Sequence, residues 1–221
     1  MGLNGFLFFG LEYILKTAQV REYGFILGDY CVRAVNSAKL ESAVEKAKFI
    51  VGHNILRHDV PILRDYFSID FPNVKVLDTL MLSSLLFPRK PYHKLRKEYL
   101  HSEDEKSDPL KDAELCKTLL EDCIVKWNAL PWQLRYLLFQ FLKNEPGFAP
   151  FFDIIDFPSQ SELRRQLPEI QHWFRTQYKK SICLYHNFEN EWATYRAEWC
   201  FLLTLFYEEG SSDFVSHWVR Y

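Results

Sequence analysis

Glycine is scarce in this chain, with 8 in 221 residues, against 48% hydrophobic and 17% aromatic side chains. That balance argues against disorder and for a chain long enough to bury one large core or two small ones. A basic excess is lacking too: Lys and Arg number 27 against 29 Asp and Glu, for a net charge of −2. A wholesale polyanion binder is basic, so any nucleic-acid binding has to come from a local patch or a bound metal. Cysteine patterning is absent. Cys31, Cys116, Cys123, Cys183 and Cys200 form no C-x-x-C pair and have no His at zinc spacing, an odd, scattered set that suits a reducing compartment. The start, Met1 to Phe6, has no basic segment, and its apolar stretch is too short for a signal peptide. The longest apolar runs, such as Cys200 to Leu203 with its neighbours, cannot span a bilayer. The expectation is a soluble, cytoplasmic protein without a membrane partner.

The strand signals lie early. Phe6 to Phe9 reads as a buried strand, and Gln19–Leu27 and Tyr30 to Val35 as two more, joined by a Gly28-Asp29 hairpin turn. Lys39 to Lys48 has helical spacing, Phe49 to Val51 is a brief strand ending at Gly52, and Leu56 to Phe67 reads as a helix carrying Val60, Leu63 and Phe67 on one side. Pro61 is tolerated in that helix's first turns. Val74 to Leu77 is a further strand, and Thr79–Leu86 a further helix. The strand–turn–strand patterning predicts that the first three strands are consecutive and antiparallel in one sheet. Asp108-Pro109 starts a helix, with Asp as N-cap and Pro at the first position, that runs to about Trp127.

After Asn128 the character changes. Pro131 to Lys143, Ser161 to Tyr178 and Glu189 to Tyr207 read as amphipathic helices rich in Trp, Tyr and Phe. Glu145 to Pro158, with Pro146, Gly147, Pro150 and Pro158, reads as a linker. The expected domains are residues 1–127, α/β, and residues 128–221, all helical. The tryptophans of the second half (Trp127, Trp132, Trp173, Trp192, Trp199, Trp218) read as helix-packing core rather than a base-stacking platform.

Three segments place carboxylates at strand ends or on helix faces: Phe8-Phe9-Gly10-Leu11-Glu12, Gly52-His53-Asn54-Ile55-Leu56-Arg57-His58-Asp59, and Ser107-Asp108-Pro109-Leu110-Lys111-Asp112-Ala113. Leu77-Asp78-Thr79-Leu80 lies between the last two. In order and spacing the first 125 or so residues resemble the DEDD superfamily of 3′–5′ exonucleases. There the first strand bears Asp-x-Glu, a second segment reads Gly-His-Asn followed by Asp, and a late helix bears the last Asp. The resemblance implies an α/β, ribonuclease H-like mixed five-stranded sheet with flanking helices, in which the Phe49 and Val74 strands extend the sheet on the other side of a central Phe6 strand; the all-helical C-terminal region read from the residues then follows it. It also implies cleavage assisted by Mg²⁺ or Mn²⁺. Two ions about 3.5–4 Å apart neutralise the attacking and leaving oxygens of a phosphodiester. Such hard cations require carboxylate oxygens, converging from separate elements.

Carried over by position, Glu12, Asp59 and Asp112 are the candidate catalytic and metal-binding residues. Two positions depart from the pattern. The first-motif Asp falls on Gly10, which can ligate nothing. The base position of the His-type subgroup falls on Ser107, and that of the Tyr-type subgroup on Asp108. The Asn-to-Asp spacing of the second motif is one residue longer than the commonest. His58 or His101 could act as base only if the fold brings it close. Returning Asp at position 10, and His at 107, is expected to raise activity. Asp108 reads as an N-cap rather than a ligand, and Asp78 as a cap for the following helix.

His53 and Asn54 are candidate nucleic-acid contacts, though they equally suit organising a turn. Arg89, Lys90 and Lys94, with His93, Arg96 and Lys97, could cradle phosphates or form a solvated basic face offset by Glu103, Asp104 and Glu105. A narrower resemblance joins Phe9 to Leu27 (with Lys16-Thr17 and Arg21-Glu22-Tyr23-Gly24), Gly52 to Asp59 and the tail Ala197 to Tyr221. Together they look like the exonuclease-like front region of certain bacterial RecQ-type helicases. No G-x-x-x-x-G-K-[ST] run is present, so the helicase module would belong to a neighbouring part or partner. The favoured expectation is a degenerate exonuclease fold that binds single-stranded nucleic acid or regulates a helicase. The alternatives are an active metal-dependent exonuclease and a helical protein-interaction scaffold.

Overall fold

The computed structural model describes residues 3–14, 16–71, 74–95, 108–155, 172–173, 176 and 196–209. Five strands form one sheet in the order β3-β2-β1-β4-β5: β1 (Phe6–Ile14), β2 (Gln19–Leu27), β3 (Tyr30–Ala34), β4 (Phe49–Gly52) and β5 (Lys75–Asp78). β1 runs antiparallel to β2, which runs antiparallel to β3, while β1, β4 and β5 are parallel neighbours. The expected sheet order holds. Helices α1 (Ala38–Lys46), α2 (Asp59–Phe67) and α3 (Thr79–Leu86) alternate with the later strands, and α4 (Pro109–Ala129) follows.

β1 is central and covered on both faces, which is why Phe6 to Phe9 reads as an unbroken apolar run. Alternation sends Leu7 and Phe9 to one face, where they join Tyr23, Phe25, Ile50, Leu40, Val44 and Leu63 in a core closed by α1 and α2. Val60 and Phe67 pack against that core from α2, as their spacing implied. Each such side chain, fully buried, contributes about 1.5–3 kcal/mol. On the opposite face, Phe6 stacks on Phe49 with ring centroids 4.7 Å apart. The first turn of α4 lies on this face over Gly10 and Gly24. The β2–β3 turn is tight: Leu27 pairs with Tyr30, and Gly28 takes φ +60°, a conformation that favours glycine.

Three local expectations need correction. β1 does not stop at Phe9 but runs on to Ile14, because Gly10, Leu11 and Glu12 keep pairing with Gly24, Tyr23 and Glu22. Helix α2 starts at Asp59 rather than Leu56, because the chain first makes a turn with Asn54 at φ +63°. Glu145 to Pro158 is not a bare linker in its described part. Helix α6 (Ala149–Phe152) lies within it, with Pro150 in the first turn, and Phe148, Phe151 and Ile155 are buried.

The chain divides into two compact units, residues 1–82 with 92–123, and residues 83–91 with 124–221. In the second unit, α5 (Trp132–Leu142) buries Leu134, Leu138 and Leu142 at helical spacing and packs against α7 (Arg196–Glu209). Trp127 is fully buried, edge-on to Phe151 and Phe152 at 5.7 and 5.6 Å, and Lys126 pairs with Glu208. The elements described after residue 130 are helical. Ser161 to Tyr178 lies outside the described residues apart from short helical pieces at 172–173 and 176, as does Glu189 to Tyr207 before Arg196. Trp192, Trp218 and Cys183 lie outside them as well. Cys31, Cys116, Cys123 and Cys200 form no disulfide. Among the described residues no helix is long and apolar enough to cross a membrane.

Candidate functional site

A cleft of about 440 Å³ opens in the first unit. It is lined by Phe9, Gly10 and Leu11 of β1, His53, His58 and Asp59 beyond β4, Lys94 and Leu95, and Asp112 and Cys116 of α4. It lies toward the carboxyl ends of the parallel β1 and β4, where open α/β sheets leave a crevice. Asp59 and Asp112, from two separate helices, thus reach one cavity, as the motif spacing implied.

Asp78 anchors the turn that leads to Asp59. It stands at the end of β5 with 1% exposure. Its Oδ1 accepts the N–H of Asn54 and of Leu80, both at 2.9 Å, and its Oδ2 the N–H of Leu56 at 3.3 Å. One carboxylate therefore caps α3 and pins the turn that delivers His58 and Asp59. The left-handed backbone of Asn54 lets that turn aim its N–H groups inward, a conformation Asn tolerates better than most. His53 completes the turn. Its Nδ1 lies 3.1 Å from the Thr79 hydroxyl, which donates to the Gly52 carbonyl at 3.2 Å. Burial pushes the His53 pKa down, partly countered by the Asp78 charge and a bond to the His93 carbonyl. His53 and Asn54 thus organise the turn, and His53 also faces the cleft.

His58 does come close. Its Nδ1 sits 2.8 Å from Asp59 Oδ1, and its ring meets Tyr13 edge-on at 6.5 Å. The bond to Asp59 raises the His58 pKa, against the pull of partial burial. Asp59 is 5% exposed, and burial lifts its pKa. The His58 bond opposes the shift, while the Asp78 and Asp112 charges add to it. Cys116 is buried beside Thr79, and burial pushes its thiol up, away from a reactive thiolate. His101 and Ser107 lie outside the described residues.

Glu12 does not line the cleft. Strand alternation puts it on the same face of β1 as Gly10, the face that α4 covers, across from Glu22 and outside the residues that line the cavity. One extra residue in β2, Arg21, makes a bulge there and donates from Nη1 to Glu12 Oε1 at 3.1 Å. The other oxygen, Oε2, is buried without a protein partner. Position 10 holds more than a missing side chain: a Cβ placed on Gly10 would stand 2.3 Å from the Pro109 carbonyl oxygen. The donors therefore do not fit a two-ion centre. Among the described residues no three His, Cys, Asp or Glu are grouped so that they could hold a metal ion, and no hydrolytic step is assigned to one.

Of the basic candidates, Lys94 is exposed at the cleft. Arg89 is exposed, and Lys90 holds its ammonium 4.2 Å from the centre of the Phe87 ring; both belong to the second unit. Arg96, Lys97, Glu103, Asp104 and Glu105 lie outside the described residues. Sequence reasoning missed Arg21, Gly24 and Arg33. A positive charge opposite a carboxylate was a visible signal for Arg21, but its register was not. No family model, no curated protein and no solved structure matches this chain.

Proposed function

We propose that this chain carries a ribonuclease H-like domain of the DEDD exonuclease type whose carboxylate cleft binds single-stranded nucleic acid and hydrolyses it weakly or not at all. It would serve as a binding or regulatory module beside a RecQ-type helicase. What supports this reading is the cleft itself: Asp59 and Asp112 meet at the carboxyl ends of parallel strands, while Glu12 is held by Arg21 and position 10 is closed. A Mg²⁺ or Mn²⁺ ion taken up at Asp59 and Asp112 would draw most of its ligands from water and substrate phosphate, as Mg²⁺ commonly does. Lys94 at the rim supplies a phosphate contact that the acidic walls cannot.

The test is fluorescence anisotropy of a labelled single strand with the full chain, with and without Mg²⁺, beside a gel assay of degradation. Binding at about 10⁻⁴–10⁻⁶ M, falling with salt, is expected. Lys94→Ala should reduce the salt slope by about 0.7, and degradation should stay near the no-protein background. Absence of binding overturns the proposal. Robust degradation abolished by Asp112→Ala overturns it in favour of an active exonuclease.

A further inference from the structure

We infer that the first turn of α4 is a plug seated on the sheet at the place where the first-motif carboxylate would stand, with Gly10, Gly24 and Arg33 as its seat. Gly10 pairs with Gly24, and Gly24 with Arg33, so the three form one row across β1, β2 and β3. A Cβ on Gly10 would meet Pro109 O at 2.3 Å and Asp112 Cβ at 3.1 Å. A Cβ on Gly24 would meet the Leu110 N and Cα at 2.4 and 2.6 Å. These are mostly main-chain atoms that cannot rotate aside, so any side chain at either position drives the helix outward by about 1 Å to reach ordinary contact. Neither glycine has a positive φ. They are needed for close approach, not for backbone freedom.

Arg33 secures the same turn from the third strand. Its Nη2 donates to Asp108 Oδ1 at 2.6 Å, and that oxygen also accepts the Leu110 N–H at 3.0 Å and the Lys111 N–H at 3.3 Å. Asp112, whose N–H bonds the Asp108 carbonyl at 2.9 Å, is one turn further along. The seat thereby sets how far Asp112 reaches into the cleft. The loss of the first-motif carboxylate is a change of packing, not a point vacancy, and the expectation that Gly10→Asp restores activity is reversed. The consequence for the cleft rests on the proposed function; the seat does not.

The experiment uses the full chain with Gly10→Asp, Gly10→Ala, Gly24→Ala and Arg33→Ala. It reads thermal unfolding, amide exchange by mass spectrometry over residues 109–113, and Mn²⁺ binding by calorimetry. The glycine variants are expected to melt about 4–10 °C lower, and Gly10→Asp to bind Mn²⁺ no more tightly than the parent. Arg33→Ala, which leaves the glycine seat intact, is expected to fold and to exchange residues 109–113 about three- to tenfold faster, with Ile50 and Val51 unchanged. If the glycine variants do not fold, the Arg33 arm decides. A Gly10→Asp protein as stable as the parent with tighter Mn²⁺ binding, or an Arg33→Ala protein with unchanged exchange, overturns the inference. Loss of oligonucleotide binding by the parent would instead refute the proposed function and leave the seat standing.

Discussion

Asp78 is the residue whose removal should cost the first unit most per atom lost. Its carboxylate accepts three N–H groups at 2.9, 2.9 and 3.3 Å from 1% exposure. A hydrogen bond to a charged group contributes about 1.5–3 kcal/mol, so three give a gross loss of roughly 4.5–9 kcal/mol. Two effects reduce it. The donors are only part-buried, so water recovers some of their bonding, and losing Asp78 relieves its repulsion of Asp59. Asp78→Ala should therefore destabilise by about 2–4 kcal/mol. Asp78→Asn keeps the oxygen facing Asn54 and Leu80 but turns an NH₂ toward the Leu56 N–H, so it should cost only about 1–2 kcal/mol. Urea unfolding followed by circular dichroism measures both, repeated in an Asp59→Asn background. There the Asp78→Ala cost should grow, because the repulsion it relieves has already gone. Asp78→Ala within about 0.5 kcal/mol of the parent, or Asn worse than Ala, would refute the reasoning.

Two further outcomes follow from the charges. Burial raises the Asp108 carboxyl, but the Lys111 N–H, Arg33 and the Leu110 N–H together outweigh it and hold the pKa below 3.8. A depressed folded pKa stabilises above the unfolded value and is lost as pH falls through the folded one. Asp108→Asn, which keeps the cap, should melt about 1–3 °C lower at neutral pH and together with the parent near pH 2; a gap that persists in acid contradicts the assignment. Asp59 carries the opposite sign: burial lifts its pKa, so its charge is unfavourable once ionised. Asp59→Asn should melt about 2–4 °C higher at neutral pH, and a comparable fall would mean that the charged bond to His58 prevails.

How much of this was legible depends on whether the signal was local. The bounds of β2 and α3 follow from their own residues, as does the Asp108-Pro109 start of α4, and all three appear as expected. β1 was cut short because its apolar run ends at Phe9, while its pairing continues through Gly10 and Glu12. Pro146, Gly147 and Pro150 look like a linker because Pro and Gly punctuate both loops and helix starts; the burial of Phe148 and Phe151 distinguishes the two. Asp59 and Asp112 were found through motif spacing and do face one cleft. The Arg21–Glu12 pair was not found, since a bulge in a neighbouring strand leaves no trace in either segment alone.

Gly10 shows where a motif comparison misleads. Aligned by position, it is an absence, and an absence invites repair by adding the side chain back. In the fold it is one half of a pair with Gly24, and main-chain atoms of α4 stand where both side chains would be. The two glycines lie fourteen residues apart on antiparallel strands, so no local window connects them. The helix they receive arrives more than eighty residues later. A site that had merely lost a ligand would keep the space for it. Here the space is filled by the same turn that carries Asp112 toward the cleft, and Arg33 on a third strand ties that turn down. A carboxylate at position 10 would require the first turn of α4 to lift off Gly10 and Gly24 against the hold of Arg33 on Asp108. Within the proposed function, that coupling favours binding over catalysis.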